Sequence, residues 1–197
     1  MAILDTSIDI KNKDMVKRSE VVAFMGVSNS SGEKIYARMK GFTELTTNKN
    51  PKEYGRQYVD EESERTSTTG YASSISYAFD KYKGNLVTEA LARIADMELT
   101  GEEATVELLL VDMTTISQSS GNNYTAEAMR REFSVSPSTS GNTTDCMTYS
   151  GDLKACGEIE KVTATGSSLK PSKWLQCKVM ESASASYMNA GSTSDSE

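Results

Sequence analysis

Thr105-Val-Glu-Leu-Leu-Leu-Val-Asp-Met113 is the most apolar stretch of the chain, and its reading decides the fold. A strand with one wet face alternates. Here Val106, Leu108, Leu109, Leu110 and Val111 run almost without interruption, the mark of a strand covered on both faces. Residues 105–113 are therefore expected at the centre of a sheet. The cover for one side lies just upstream. Over 86–98, Val87, Ala90, Leu91, Ile94 and Met97 recur at three- and four-residue steps and share one face of a helix. Asn85 stands at the N-cap, Glu89 suits the early turns, and Gly101 lies just past the end. Val87, Leu91 and Ile94 are the expected packing residues, with Glu89 and Arg93 as an i,i+4 pair on the outer face.

Outward from this centre the chain reads as strands. Val21-Val-Ala-Phe-Met25 is a short buried strand ending at Gly26. Beyond the turn material of 28–32, Ile35, Ala37 and Met39 alternate with Tyr36, Arg38 and Lys40. The first set is expected to be buried, and the strand to run past a kink at Gly41 through Phe42 and Leu45. Asn48-Lys-Asn50-Pro51 is a turn signal, because the residue before proline is pushed out of the helical region. Residues 57–65 read as a charged strand, and 74–82 as a better one with Ile75, Tyr77 and Phe79 inward; the extended stretches flanking 46–55 form an arm-like hairpin. Downstream, 117–123 and 138–144 are expected as loops and 126–137 as a strand. Residues 147–166 are expected as a hairpin closed near Gly157. The tail after Gly166 carries Trp174, Leu175 and Val179 and then becomes Ser/Ala-rich. The division is an N-terminal arm (1–20), a β domain (21–166) and a C-terminal arm with a polar tail (167–197).

The composition limits what such a chain can do. Of 197 residues, 34 are Leu, Ile, Val or Phe, while Ser and Thr number 47. That apolar share is low enough to suggest disorder if the net charge were large, but it is only −7. The result is a folded, polar, mainly β chain with a thin core, one that gains from burying surface against copies of itself. With a pI near 4.8 and no basic cluster, a nucleic-acid clamp is disfavoured, because such binding rests on neutralising phosphates. Histidine is absent, which removes the usual general base, the Ser-His and Cys-His nucleophile systems, and the commonest metal ligand. Cys146, Cys156 and Cys177 contain no Cys-x-x-Cys pair and read as reduced thiols. The N-terminal stretch is no signal peptide, and no apolar run approaches the roughly 20 residues of a membrane span, so a soluble cytoplasmic chain is expected.

Chemistry finds no foothold. The acidic run Asp60-Glu61-Glu62-Ser-Glu64 lacks the Asp-x-Asp-x-Asp-Gly calcium loop and reads as a solvated face. The glycines make no phosphate-binding pattern. Tyr54, Tyr58, Tyr71, Tyr77 and Tyr82 could form a stacking surface, although strand tyrosines more often pack in the sheet. No catalytic residue, metal site or cofactor is expected.

The string Asn50-Pro-Lys-Glu-Tyr-Gly-Arg-Gln-Tyr-Val-Asp-Glu61, within the longer stretch 39–61, resembles the major tail (tail tube) proteins of tailed bacteriophages infecting Gram-positive bacteria. The similarity continues through Gly70-Tyr71, Ser74-Ile-Ser-Tyr-Ala-Phe-Asp80, the helix, and Tyr149-Ser-Gly-Asp-Leu-Lys154. The resemblance implies a β-sandwich or barrel with one flanking helix and extended arms. It also implies six-membered rings stacked into a hollow tube through which the genome passes. The implied partners are copies of the chain, a tape measure protein, and tail terminator or tip proteins. DNA would be present only in transit and no membrane would be involved. The expected location is the virion, assembled in the host cytoplasm. Residues 46–57 would then contact a neighbouring subunit or ring, through Asn48, Asn50, Pro51, Lys52, Glu53, Tyr54, Arg56 and Gln57. The terminal arms would reach neighbours too, giving Trp174 a partner. With no basic patch to grip DNA, Asp60, Glu62 and Glu64, on one face of the expected strand 57–65, are assigned to the channel wall. A contractile-tail or bacteriocin tube and a glycan-binding adhesin module are the competing readings.

Overall fold

The computed structural model describes residues 15–28, 33–60, 62–121, 123–141 and 145–180. In chain order they form β1 (Val21–Ser28), β2 (Lys34–Arg38), β3 (Phe42–Asn48), β4 (Pro51–Arg56), β5 (Arg65–Tyr71) and β6 (Ser74–Asp80). Then come α1 (Leu86–Asp96), β7 (Thr105–Ser120), β8 (Asn123–Ser140), β9 (Thr148–Ala155), β10 (Glu160–Gly166) and β11 (Gln176–Met180). Nine strands lie in the order β10-β11-β2-β1-β7-β8-β9-β6-β3, and β10 also pairs with β8. That extra pairing closes β10, β11, β2, β1, β7 and β8 into a six-stranded barrel. From β8 a second wing, β9-β6-β3, continues outward.

β8 makes this branching possible because it is long enough to hold two partners on one edge. Its first part, Tyr124 to Arg130, pairs with β10, and Phe133 to Ser140 pairs with β9. The two faces of β8 then serve different cores. Ala126 and Ala128 point into the barrel, while Phe133 and Val135 point to the opposite face under α1. β7 behaves likewise, with Leu109, Val111 and Met113 in the barrel and Val106 and Leu108 on the helix side. So the near-continuous apolar run at 105–113 does mark a central strand covered twice. β1 divides in the same way, Val22 and Phe24 inward and Ala23 and Met25 toward α1.

The helix docks as its stripe requires. The Asn85 side chain accepts hydrogen bonds from the Val87 and Thr88 amides, and Val87, Leu91 and Ile94 are 0%, 1% and 5% exposed. Met97 lies past the last helical turn and is exposed, so the stripe ends one step earlier than its periodicity suggests. Opposite the helix, Phe79 stacks on Tyr149 (5.4 Å) and meets Phe42 at a tilt (5.2 Å), and the Tyr149 hydroxyl donates to Asp96 at the end of α1 (3.0 Å).

Several expectations are corrected. Residues 57–60 and 62–64 are not a strand: Arg56 pairs with Arg65, the first residue of β5, so they leave the ladder as the tip of a β4–β5 hairpin. Carboxylates crowded at 60–64 repel one another in a ladder and are better solvated at a tip. The loop expected at 117–123 is mostly strand, because β7 runs on to Ser120 and β8 begins at Asn123. β9 and β10 do not pair with each other; both are partners of β8, so the segment at Gly157 is a crossover. In β2 the buried residue is Tyr36, because barrel closure turns that face inward, and Ile35 and Ala37 are half-buried. The segment beyond Gly166 supplies β11 to the barrel, and Trp174, 1% exposed, finds its partners inside its own chain. A Cβ on Gly166 would collide with the Trp174 ring, so the indole rests on bare backbone. Residues 1–14 and 181–197, with Ile3, Ile8, Ile10 and the Ser/Ala-rich end, lie outside the described residues.

Candidate assembly surfaces

The wing β3-β6-β9, together with the far half of β8, is a four-stranded sheet with one face under α1. Alternation sends Ile75, Tyr77, Phe79, Tyr149, Leu153, Phe133 and Val135 to that covered face. The other face is therefore set by register alone. It carries Glu44, Thr46 and Asn48 of β3; Ser74, Ser76, Ala78 and Asp80 of β6; Thr148, Ser150, Asp152 and Lys154 of β9; and Ser134, Ser136 and Thr139 of β8. This is a carpet of hydroxyls with three carboxylates and one lysine. Many of its polar groups satisfy one another: Asn48 Nδ2 donates to Ser76 Oγ (3.3 Å), Ser76 Oγ to Asp152 Oδ1 (2.8 Å), and Thr139 Oγ1 lies 2.6 Å from Ser150 Oγ. Beneath the sheet, burial and then the nearby Asp152 charge push the Tyr77 hydroxyl up to about 12.

Both edges of this sheet are open among the described residues. β3 pairs only with β6, and the part of β8 beyond Ser134 has left β7 and pairs only with β9. The β3 edge is partly blunted where the Arg18 guanidinium donates to the Leu45 carbonyl (3.3 Å). Open edges of this kind are templates for another chain.

The β4–β5 hairpin is the second surface. It leaves the sheet where β3 ends and β6 begins, through a turn in which Asn50 has φ 43°. Its root is held by the Ala72 amide donating to the Asn50 carbonyl (2.9 Å). β4 is exposed along its whole length, as is β5 apart from Gly70, and among the described residues the two pair only with each other. The expected contact residues Pro51, Lys52, Glu53, Tyr54 and Arg56 form β4. Asn48 and Asn50 lie at its root, and Gln57 begins the tip. Asp60, Glu62 and Glu64 belong to the tip as well, so strand alternation does not place them on a common face. Of the five tyrosines, Tyr54, Tyr58, Tyr71 and Tyr82 are exposed and spread over hairpin and sheet end, while Tyr77 is buried. They form no single stacking platform.

A third feature, with no sequence signal, plugs one mouth of the barrel. Glu107 of β7 points inward among Lys34 and Tyr36 of β2 and Arg130 of β8, and Arg130 in turn pairs with Glu160 of β10 (2.5 Å). Burial alone would raise the Glu107 carboxyl. Hydrogen bonds from Lys34 and Tyr36 and the charges of Lys34 and Arg130 outweigh it and hold the group below its ordinary value. Burial, then the bond to Glu107, raises Tyr36 to about 12. Only the four-strand register brings these charges together.

No protein-family model matches the chain, and no curated protein matches it by sequence. Solved structures do. A subunit of the SPP1 tail tube superposes with a TM-score of 0.53 at 8% identity, over 81% of this chain and 84% of that one. A subunit of the tail of an empty GTA particle, refined with C6 symmetry, superposes with a TM-score of 0.50 at 10% identity, over 74% of this chain and 98% of that one. This is the tail-tube fold. The barrel, its side wing and the single helix are thus a known architecture carried by a very different sequence, as expected when burial pattern and register, more than residue identity, specify a fold. Among the described residues no group of three or more His, Cys, Asp or Glu is arranged to hold a metal.

Proposed function

We propose that this chain is a structural tail tube subunit that closes into six-membered rings, which stack into a hollow conduit for a phage genome. The observation that carries the reading is the four-stranded sheet: one face sealed by α1, the other hydroxyl-covered, and both edges open among the described residues. Such a sheet can be extended by the edges of neighbouring copies until it closes, which removes the edges altogether. The wall facing the channel is then the hydroxyl face, in place of the hairpin-tip acids. Its small excess of carboxylates, Glu44, Asp80 and Asp152 against Lys154, gives phosphates nothing to bind. The Debye length of about 8 Å confines the mild repulsion to DNA close to the wall.

The hairpin supplies the contact between successive rings. A tape measure protein inside the tube and terminator or tip proteins at its ends complete the assembly, which forms in the host cytoplasm. A Gram-positive host rests on the resemblance of residues 39–61. Negative-stain microscopy of the purified protein tests the proposal. Rings or tubes of uniform bore are expected, and a chain that stays monomeric at every concentration overturns it.

A further inference from the structure

We infer that the tip of the β4–β5 hairpin seats, in a second copy of the chain, in the groove between β2, β11 and the start of α1. This rests on the stacking proposed above and names its receiving surface. The groove measures about 650 Å³. Its floor is apolar, with Ile35, Leu86 and Leu175, and the described residues leave the last two 46% and 63% exposed. Arg38, Lys40 and Lys83 also line it, and among the described residues no carboxylate does. Arg38 is anchored by donating to the Pro171 carbonyl (2.6 Å), leaving Lys40 and Lys83 as an exposed cationic rim.

The hairpin tip has the opposite character. Val59 is fully exposed and Tyr58 about half exposed. Around them the tip carries Asp60, Glu62 and Glu64, and no lysine or arginine occurs between Arg56 and Arg65. An apolar knob with an acidic collar thus meets an apolar groove with a cationic rim, and such charge complementarity sets register and suppresses wrong partners.

Placement decides between one copy and two. The hairpin leaves from the Asn48/Ser74 end of the β3–β6 pair, whereas the groove lies at the Gly41/Tyr82 end. Seven residues of β3 separate the two by about 23 Å at strand rise. A hairpin rooted at one end and a groove at the other fit a heterologous, head-to-tail contact, which propagates along an axis without closing.

The test uses the full chain. Lys40→Glu with Lys83→Glu reverses the rim, Asp60→Lys with Glu62→Lys reverses the collar, and a third variant carries all four changes. All four side chains are exposed, and unchanged thermal melts confirm folding. Each reversal alone is expected to leave rings and lower tube yield by about tenfold or more, and the fourfold variant to recover tubes. A rim-reversed protein that makes tubes as the wild type does overturns the inference, as does a fourfold variant no better than either pair. Tubes from the wild type with such results would leave the proposed function standing. A wild type with neither rings nor tubes would remove both.

Discussion

Leu91 shows how much one side chain can decide. It sits in the middle of the α1 stripe against the sheet and is 1% exposed. Truncation at such a site costs roughly 2–5 kcal/mol, and an unpaired buried carboxylate costs more. Leu91→Asp is therefore expected to yield an insoluble or unfolded chain, read by solubility and circular dichroism; a soluble, native-like Leu91→Asp protein would contradict the packing. Glu107 gives a pH-dependent counterpart. A carboxyl held low in the folded chain contributes stability that is complete above its unfolded value, 4.5, and is lost as pH falls through the folded one. Melting temperature is expected to fall on acidification below about pH 5. Glu107→Gln should melt lower at neutral pH and show a shallower acid dependence, because the group that takes up the proton is gone. Parallel melts of the two proteins across that range measure the difference.

Among the elements, the β4–β5 hairpin is the one whose removal should spare the fold. It pairs with no other strand, so deleting 51–71 and bridging Asn50 to Ala72, whose backbones are already hydrogen-bonded, takes nothing from either core. The shortened chain should melt within a few degrees of the wild type and form rings that do not stack, as seen by sedimentation and microscopy. Normal tubes from it would remove the hairpin from the axial contact. Deleting 46–57 instead would tear out the end of β3, so the structure moves the informative boundary. β8 makes the complementary point: it belongs to the barrel and the wing at once, and no part of it is dispensable.

For the whole molecule, the proposed tube depends on a wall that does not hold DNA. Lysines at Ser76, Ser136 and Ser150 would turn the hydroxyl face basic without touching either core. Tubes of that triple variant should retain double-stranded DNA at low salt and release it as salt rises, since each phosphate contact displaces counterions. Wild-type tubes should retain none. Gel retardation of assembled tubes reads both, and equal retention by the two proteins would show that this face is not the wall.

What the sequence by itself determined is local and periodic. The apolar run at 105–113, the Asn85-capped stripe of α1 and the alternation of Ile75, Tyr77 and Phe79 each declare which face is buried, because helix and strand periods are properties of the backbone. The low apolar share suggested a chain that gains from burying surface against copies of itself, and the tube role came from the resemblance of residues 39–61. The tertiary structure alone decided the rest. Whether 147–166 closes as a hairpin or crosses over depends on which edge of β8 is free, and that is a long-range competition. Likewise, the burial of Trp174 needs Gly166 beneath it, the Glu107 cluster needs four strands in one register, and Asp60, Glu62 and Glu64 fall at a tip once Arg56 pairs with Arg65. The hydroxyl face was present in the alternating serines of β6 but could not be read as a surface. A strand's polar side becomes one continuous surface only when three neighbouring strands are aligned with it.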